Sequence, residues 1–369
     1  MANTQMQRKG KDKLREQRMA KSAFLVALLI ASALMTACSF DGLLVQKGSG
    51  RAFDGTFKLC VTMGENDPRS VGARHFADLV EEYSHGRLHC DVAMGSVLGS
   101  DTDLIKKMAH DTGEVDIIVV SSAFFSESLG MHQFEIAGMP YLLTDFETAW
   151  AFSDSSIMRH FEEELPDHNM RVLANFCGGF RCITNSKRPI RTPSDLSGLV
   201  IRTPSGSVVM DMLFELDAKA MPLPFAELND ALKKGYYDGQ ENPPSIIYNN
   251  GLYEAQEYLS ITNHTYMMQS FTIAESIWQQ LSEEDRLIVT RAAEEAKVAE
   301  RKLVEDETTE CIDKLIEAGM EVNYPDLELF EEATEDLRMQ KSQRYKDEYM
   351  QVKNWLEEYQ ANSRWRDER

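Results

Sequence analysis

The sequence predicts an α/β fold built as two lobes. Short apolar runs alternate with segments of helical length, and this alternation occurs in two separate sets along the 369 residues. One run, Val115 to Val120, is apolar throughout, as in a strand buried on both faces of a parallel sheet. About 330 residues beyond the N-terminal segment are enough to give each lobe its own core.

Phe57 to Met63 reads as the first strand, and the turn Gly64-Glu-Asn-Asp-Pro-Arg69 leads into a helix ending near Gly86. Leu88 to Val92 is the second strand. The next helix begins after Asp101 and stops at Gly113, and Val115 to Val120 is the third strand. The second set opens with the strands Arg171 to Phe176, Cys182 to Asn185 and Leu199 to Arg202. Helices follow Ser205 and Ala226, with the short strand Ala218 to Pro222 between them. Leu281-Ser-Glu-Glu-Asp285 opens a long helix, with Ser282 as its cap and Asp285 closing a capping box. It runs with few breaks to Gly319, longer than one lobe needs. Met320 to Asn323 returns as an edge strand, and Leu327 to Gln360 ends the chain as charged helix. No internal repeat is present.

Residues 1–37 stand apart from the fold. Met19-Ala-Lys21 supplies a positive flank, Ala23 to Leu34 an apolar core too short to span a membrane, and Met35-Thr-Ala-Cys38 a cleavage site ending in cysteine. This is the pattern of a bacterial lipoprotein signal, with lipidation of Cys38 expected and Met35 standing where such signals usually carry Leu. The polar stretch before Met19 makes Met19 a candidate start. Residues 38–53 read as a tether between lipid and fold, Gly-rich near its end. Seven bases and two acids lie in residues 1–37, so the remainder carries 32 bases against 58 acids, a net charge of −26. A surface that acidic repels nucleic acid and anionic lipid, and it makes an anionic ligand depend on a locally basic pocket.

With Cys38 assigned to the lipid, five cysteines remain, and none has C-x-x-C spacing. Buried small hydrophobes are one account of them; a disulfide between Cys60 and Cys90, in strands expected to be neighbours, is the other. His85 and His89 are four apart, but Gly86 at a helix end separates them, so no zinc pair is expected. Neither H-E-x-x-H, G-x-S-x-G, a P-loop nor G-x-G-x-x-G occurs, so no enzymatic constellation, metal site or cofactor is expected.

The informative stretch runs from Asp195 to Pro244. Arg202 ends the apolar run Leu199 to Arg202 and is followed by Pro204-Ser-Gly206, so a strand delivers a guanidinium to a loop at its carboxyl end, where open α/β sheets bind ligands. An Arg fork gives a planar carboxylate two parallel charge-assisted hydrogen bonds, which a Lys cannot imitate. Two further blocks follow, Met221-Pro-Leu-Pro-Phe-Ala-Glu227 and Asp238-Gly-Gln-Glu-Asn242-Pro-Pro244.

Together and in this order these blocks resemble the DctP family, the solute-binding subunits of tripartite ATP-independent periplasmic (TRAP) transporters. The likeness extends through Leu98-Gly-Ser-Asp101, Gly113-Glu-Val-Asp116-Ile-Ile, Gly178-Gly-Phe-Arg181 and Tyr324-Pro-Asp326, and so covers roughly residues 57 to 335. It implies a two-lobed periplasmic-binding-protein fold with the long helix bracing both lobes. The expected division is 54–178 plus 268–307 for lobe I and 179–267 plus 308–369 for lobe II. It also implies capture of an organic acid anion, such as a C4-dicarboxylate, a sugar acid or a related carboxylate. Delivery would be to small and large membrane subunits driven by an ion gradient, with no reaction performed. A sensory lipoprotein feeding a kinase, or an enzyme on the same fold, are the rival readings.

By the same resemblance Arg202 and Asn242 hold the carboxylate. Arg181 matches the family's second arginine, with an ion pair between lobes as the alternative. Phe225 packs on the ligand or in the core. Ser121, ending the third strand, stands where sialic-acid members place an acid, which argues against that ligand. Thr62, at the end of the first strand, is a further candidate contact, and Asp101 is read as a helix N-cap before it is read as a contact.

Overall fold

The computed structural model describes residues 51–205 and 208–367. The expected signal segment 1–37, the lipidated Cys38 and nearly all of the tether lie outside the described residues.

The nine strands among the described residues are β1 (Thr56–Val61), β2 (His89–Met94), β3 (Ile117–Ser121), β4 (Met170–Asn185), β5 (Val200–Thr203), β6 (Lys219–Pro222), β7 (Gly239–Asn242), β8 (Tyr258–Ala274) and β9 (Glu321–Asn323). They form one sheet in the order β2-β1-β3-β8-β4-β7-β5-β6, with β9 also on β8. The helices, in chain order, begin with α1 (Pro68–Tyr83), α2 (Asp101–Ala109), α3 (Phe124–Leu129), α4 (Phe134–Ala137), α5 (Phe146–Ser153) and α6 (Ser156–Glu162). They continue with α7 (Val208–Glu215), α8 (Phe225–Lys233), α9 (Pro244–Asn249), α10 (Glu275–Trp278) and the 35-residue α11 (Glu283–Glu317). The chain ends in α12 (Leu327–Ala333), α13 (Glu335–Arg344) and α14 (Lys346–Asp367).

Two long antiparallel strands make the frame. β8 pairs with β3 through Gln269–Ile273 and with the far end of β4 through Tyr258–Ser260, so β4 and β8 run through both lobes. The outer strands are parallel pairs, β1 with β2 and β3 on one side and β5 with β6 and β7 on the other. β4 is a single element where the sequence suggests two strands. Gly178-Gly179 lies at a register shift between Cys177 and Phe180. A Cβ on Gly178 would meet the Met267 side chain at 2.3 Å, and Gly179 has φ +89°, so only glycine passes this bulge unstrained.

The hydrophobic core divides as two lobes require. One cluster gathers β1, β3, α1, α5 and the second half of β8; two others gather β5, β6 and α7, and α8, α9 and the first half of β8. Helix α11, about 50 Å long at 1.5 Å per residue, serves both sides. Val289, Ala292, Ala296 and Val304 enter the first cluster, and Leu315 enters the third. A Cβ on Gly72 of α1 would meet Glu300 Cβ at 2.9 Å, so glycine lets α1 approach α11 closely. Ser282 caps α11 by accepting from the Asp285 amide, but its hydroxyl donates to the Asp285 carboxylate (2.8 Å) in place of the reciprocal backbone bond expected of a capping box.

Other expectations are corrected. Leu327 to Gln360 is three helices, because Thr334 and Tyr345 leave helical geometry. Tyr345, Val352 and Leu356 pack in the first cluster, although the sequence division assigns 308–369 to the other lobe. Of the two accounts of the cysteines, the small buried hydrophobe holds: Cys60, Cys177, Cys182 and Cys311 are free and buried. The alternative Cys60–Cys90 disulfide is absent, since Cys60 faces Ala93 and Cys90 faces Phe57 across the β1–β2 ladder, about 10 Å apart along the strands.

Candidate functional site

A cavity of about 750 Å³ is lined by Thr62, Asp101, Ser121, Arg181, Arg202, Phe225 and Asn242 together. All seven residues singled out by the sequence therefore share one space, of a size that suits a small organic ligand. Thr62 follows β1 and Ser121 ends β3, while Arg202 lies in β5 and Phe225 opens α8, so the walls come from both sets of outer strands.

Arg202 is buried, and its Nε and Nη2 donate to the Leu223 carbonyl at 2.9 and 2.5 Å. Its guanidinium carbon lies 6.0 Å from the centre of the half-buried Phe225 ring, a cation–π distance. No carboxylate lies within ion-pair distance of it among the described residues. Burial, reinforced by neighbouring Arg181 and opposed by Glu241, pulls its pKa down to about 10.

Arg181 is held differently. Its Nε and Nη2 bind the Glu241 carboxylate, Nη2 at 2.9 Å, and Nη2 also donates to the Glu241 carbonyl (2.6 Å) and to Asn242 Oδ1 (3.1 Å). Arg181 therefore makes an ion pair, but between adjacent strands β4 and β7 within residues 179–267, not between lobes as the alternative had it. Glu241 is fully buried; burial alone would raise its pKa, but Arg181 and His264 hold it down to about 2. His264 Nε2 lies 3.4 Å from Glu241, and burial lowers the His264 pKa against the pull of that carboxylate. Asn242 is the last residue of β7, and its Nδ2 donates to Gln240 Oε1 at 2.5 Å.

Across the cavity, Asp101 joins two other predicted residues: Thr62 Oγ1 donates to its Oδ1 at 2.6 Å and the Ser121 amide to its Oδ2 at 3.4 Å. It is not the N-cap of α2. Ser100 fills that role, in a reciprocal capping box with Asp103, which leaves Asp101 as the first helical residue facing the cavity. Burial raises the Asp101 pKa, with Thr62, Arg69 and Ser121 pulling the other way.

Among the lining residues that escaped sequence reading, four stand out. Glu241 sits inside the quoted Asp238 to Pro244 block, and its lone acid next to Asn242 was the available signal. Arg69, paired bidentately with Asp67 at 2.7 Å through two nitrogens, follows a turn and looks like a helix start. Gln269 belongs to β8, which has no apolar alternation. Glu135 accepts from Ser126 and His132 and lies 3.5 Å from Lys341, contacts that sequence spacing does not reveal.

Residues 60–343 match the DctP family, described as bacterial extracellular solute-binding protein, family 7. The chain is 30% identical over 258 residues to the 2,3-diketo-L-gulonate-binding periplasmic protein YiaO of Escherichia coli, covering 70% of this chain and 77% of that one. It is 31% identical over 241 residues to the C4-dicarboxylate-binding protein DctB of Bacillus subtilis, covering 65% and 67%. A TRAP periplasmic solute-binding protein from Polaromonas, solved bound to D-erythronate, superposes with a TM-score of 0.75 at 30% identity, covering 80% of this chain and 97% of that one. With its family match spanning most of the described fold, the chain belongs to the DctP family and is a TRAP transporter solute-binding protein.

Proposed function

We propose that Arg202 receives the carboxylate of an organic acid, that Asn242 steadies it from the adjacent strand, and that Phe225 packs against the ligand's apolar edge. The single observation that carries this is Arg202 itself: a buried guanidinium that lines a cavity and whose only hydrogen-bond partner among the described residues is a backbone carbonyl. A hydrogen bond to a charged group contributes roughly 1.5–3 kcal/mol, so a bidentate pair supplies much of a micromolar affinity. The acids bound by YiaO, by DctB and by the Polaromonas protein support the class of ligand.

Around this centre, Arg181 orients Asn242 and balances Glu241, while Thr62, Asp101 and Ser121 contact the far part of the ligand. The lobes, divided near 178–179, 267–268 and 307–308 with the chain returning to the first lobe from Tyr345 onward, close over it, and the protein passes it to the small and large membrane subunits without chemical change. Cys38 carries the lipid that keeps it at the membrane. No helix among the described residues is long and apolar enough to cross a membrane.

Calorimetric titration with the tightest acid found in a thermal-shift screen, and with its neutral amide, tests the central assignment. The amide should lose most of the binding energy. Equal affinities would remove the carboxylate, and with it Arg202, from the account.

A further inference from the structure

We infer, resting on the Arg202 assignment, that the cavity is built for a monocarboxylic polyhydroxy acid, with Gln269 reading its hydroxyls, and that it discriminates against dicarboxylates. Among the described residues the lining carries three guanidiniums, of Arg69, Arg181 and Arg202, and four carboxylates, of Asp101, Asp103, Glu135 and Glu241. Asp67 engages Arg69 and Glu241 engages Arg181, so one cation is left for a ligand anion. Lys341 likewise balances Glu135 (3.5 Å), so the lining carboxylates without a cationic partner among the described residues are those of Asp101 and Asp103. A second carboxylate on the ligand would enter a space whose remaining fixed charges are acidic. Like charges brought together away from water repel strongly.

The uncharged polar groups ask for a different ligand end. Gln269 is 1% exposed, lies opposite Ser121 in the β3–β8 ladder and lines the cavity, yet neither its Nε2 nor its Oε1 has a hydrogen-bond partner among the described residues. The Thr265 hydroxyl, also lining the cavity, lacks one as well. A buried carboxamide left without partners is unfavourable, and it both donates and accepts. A hydroxyl does the same, whereas a carboxylate only accepts. Asp101, opposite, adds an acceptor that suits a hydroxyl and repels an anion.

The test is calorimetry on the protein with two probe sets of equal chain length: D-erythronate, succinate and butyrate, then D-gluconate, adipate and hexanoate. In at least one set the polyhydroxy acid should bind about tenfold or more tightly than both the diacid and the unsubstituted acid. Gln269→Met, close in volume, should shrink the ratio of polyhydroxy to unsubstituted acid about tenfold while leaving the unsubstituted acid within about twofold. A thermal melt of the variant without ligand establishes that it folds. Equal or tighter binding of the diacids overturns the inference by wild-type data alone, and so does an unchanged ratio in a folded Gln269→Met. Failure of the parent assignment looks different, since an acid and its amide would then bind alike.

Discussion

Arg181 and Arg202 line one cavity and are buried almost equally, 7% and 3% exposed, yet they sit in opposite electrostatic circumstances. Glu241 takes two nitrogens of Arg181, whereas Arg202 has a single backbone carbonyl. Burial therefore does not distinguish a structural arginine from a ligand-binding one. What distinguishes them is whether the fold supplies the counter-ion, and here it does so once. On the proposed assignment the second counter-ion comes from the ligand, which would couple charge neutralisation to binding.

The largest effect expected from this contrast is on stability. Arg181→Met leaves Glu241 buried without its cation and should lower the unfolding free energy by about 3–5 kcal/mol, measured by denaturant titration. Adding Glu241→Gln should recover part of that loss. A single-variant loss below about 1 kcal/mol would break the contrast, because the pair would then contribute little.

Two buried carboxylates sharpen it through pH. Glu241 is held down to about 2, so its stabilisation is present above pH 4.5 and is lost as pH falls toward 2, by on the order of 3 kcal/mol. Glu300 of α11 is pushed the other way. Burial, opposed by the Cys177 amide and Arg69, raises its pKa to about 8. The native state then holds a proton that the unfolded chain releases, so stability falls as pH rises from about 4.5 to about 8. Melting curves across this range should show Glu300→Gln flattening the upper limb and Glu241→Gln flattening the lower. A wild-type stability that climbs steadily to pH 8 would count against the Glu300 assignment.

The smallest expected effect is that of salt. A contact enclosed by the cavity is screened far less than a surface pair, so raising sodium chloride from 0.05 to 0.5 M should weaken ligand binding by less than about threefold. A tenfold fall would place the ligand's charge near bulk solvent.

The sequence made the apolar parts of the fold legible and left the polar interior hidden. β1, β3 and β5 are short apolar runs, and the Ser282 cap of α11 is a local signal. β8 went unread over its 17 residues because Ser260, Thr262, His264 and Thr272 are all fully buried, which erases the alternation that marks a strand. Burial of those groups depends on partners from other strands. The site shows the same limit. Its residues were legible because three sequence blocks carry Arg202, Phe225 and Asn242, further matching segments carry Arg181 and Asp101, and strand ends mark Thr62 and Ser121; all seven line the cavity. The partnership of Arg181 with Glu241, 60 residues away, and the unpartnered Gln269 appear only when the strands are paired. Asp101 was misplaced as a cap for a local reason: Ser100, one residue earlier, is the better N-cap and leaves Asp101 to the cavity.

The measurement that bears most directly on the claim that Arg202 holds the ligand is a calorimetric titration of Arg202→Lys with the tightest acid of the wild type. Lysine keeps the charge but lacks the planar fork, so affinity should fall about a hundredfold or more while the unliganded melting temperature stays close to that of the wild type. Binding within about twofold of the wild type, by a folded variant, would contradict it.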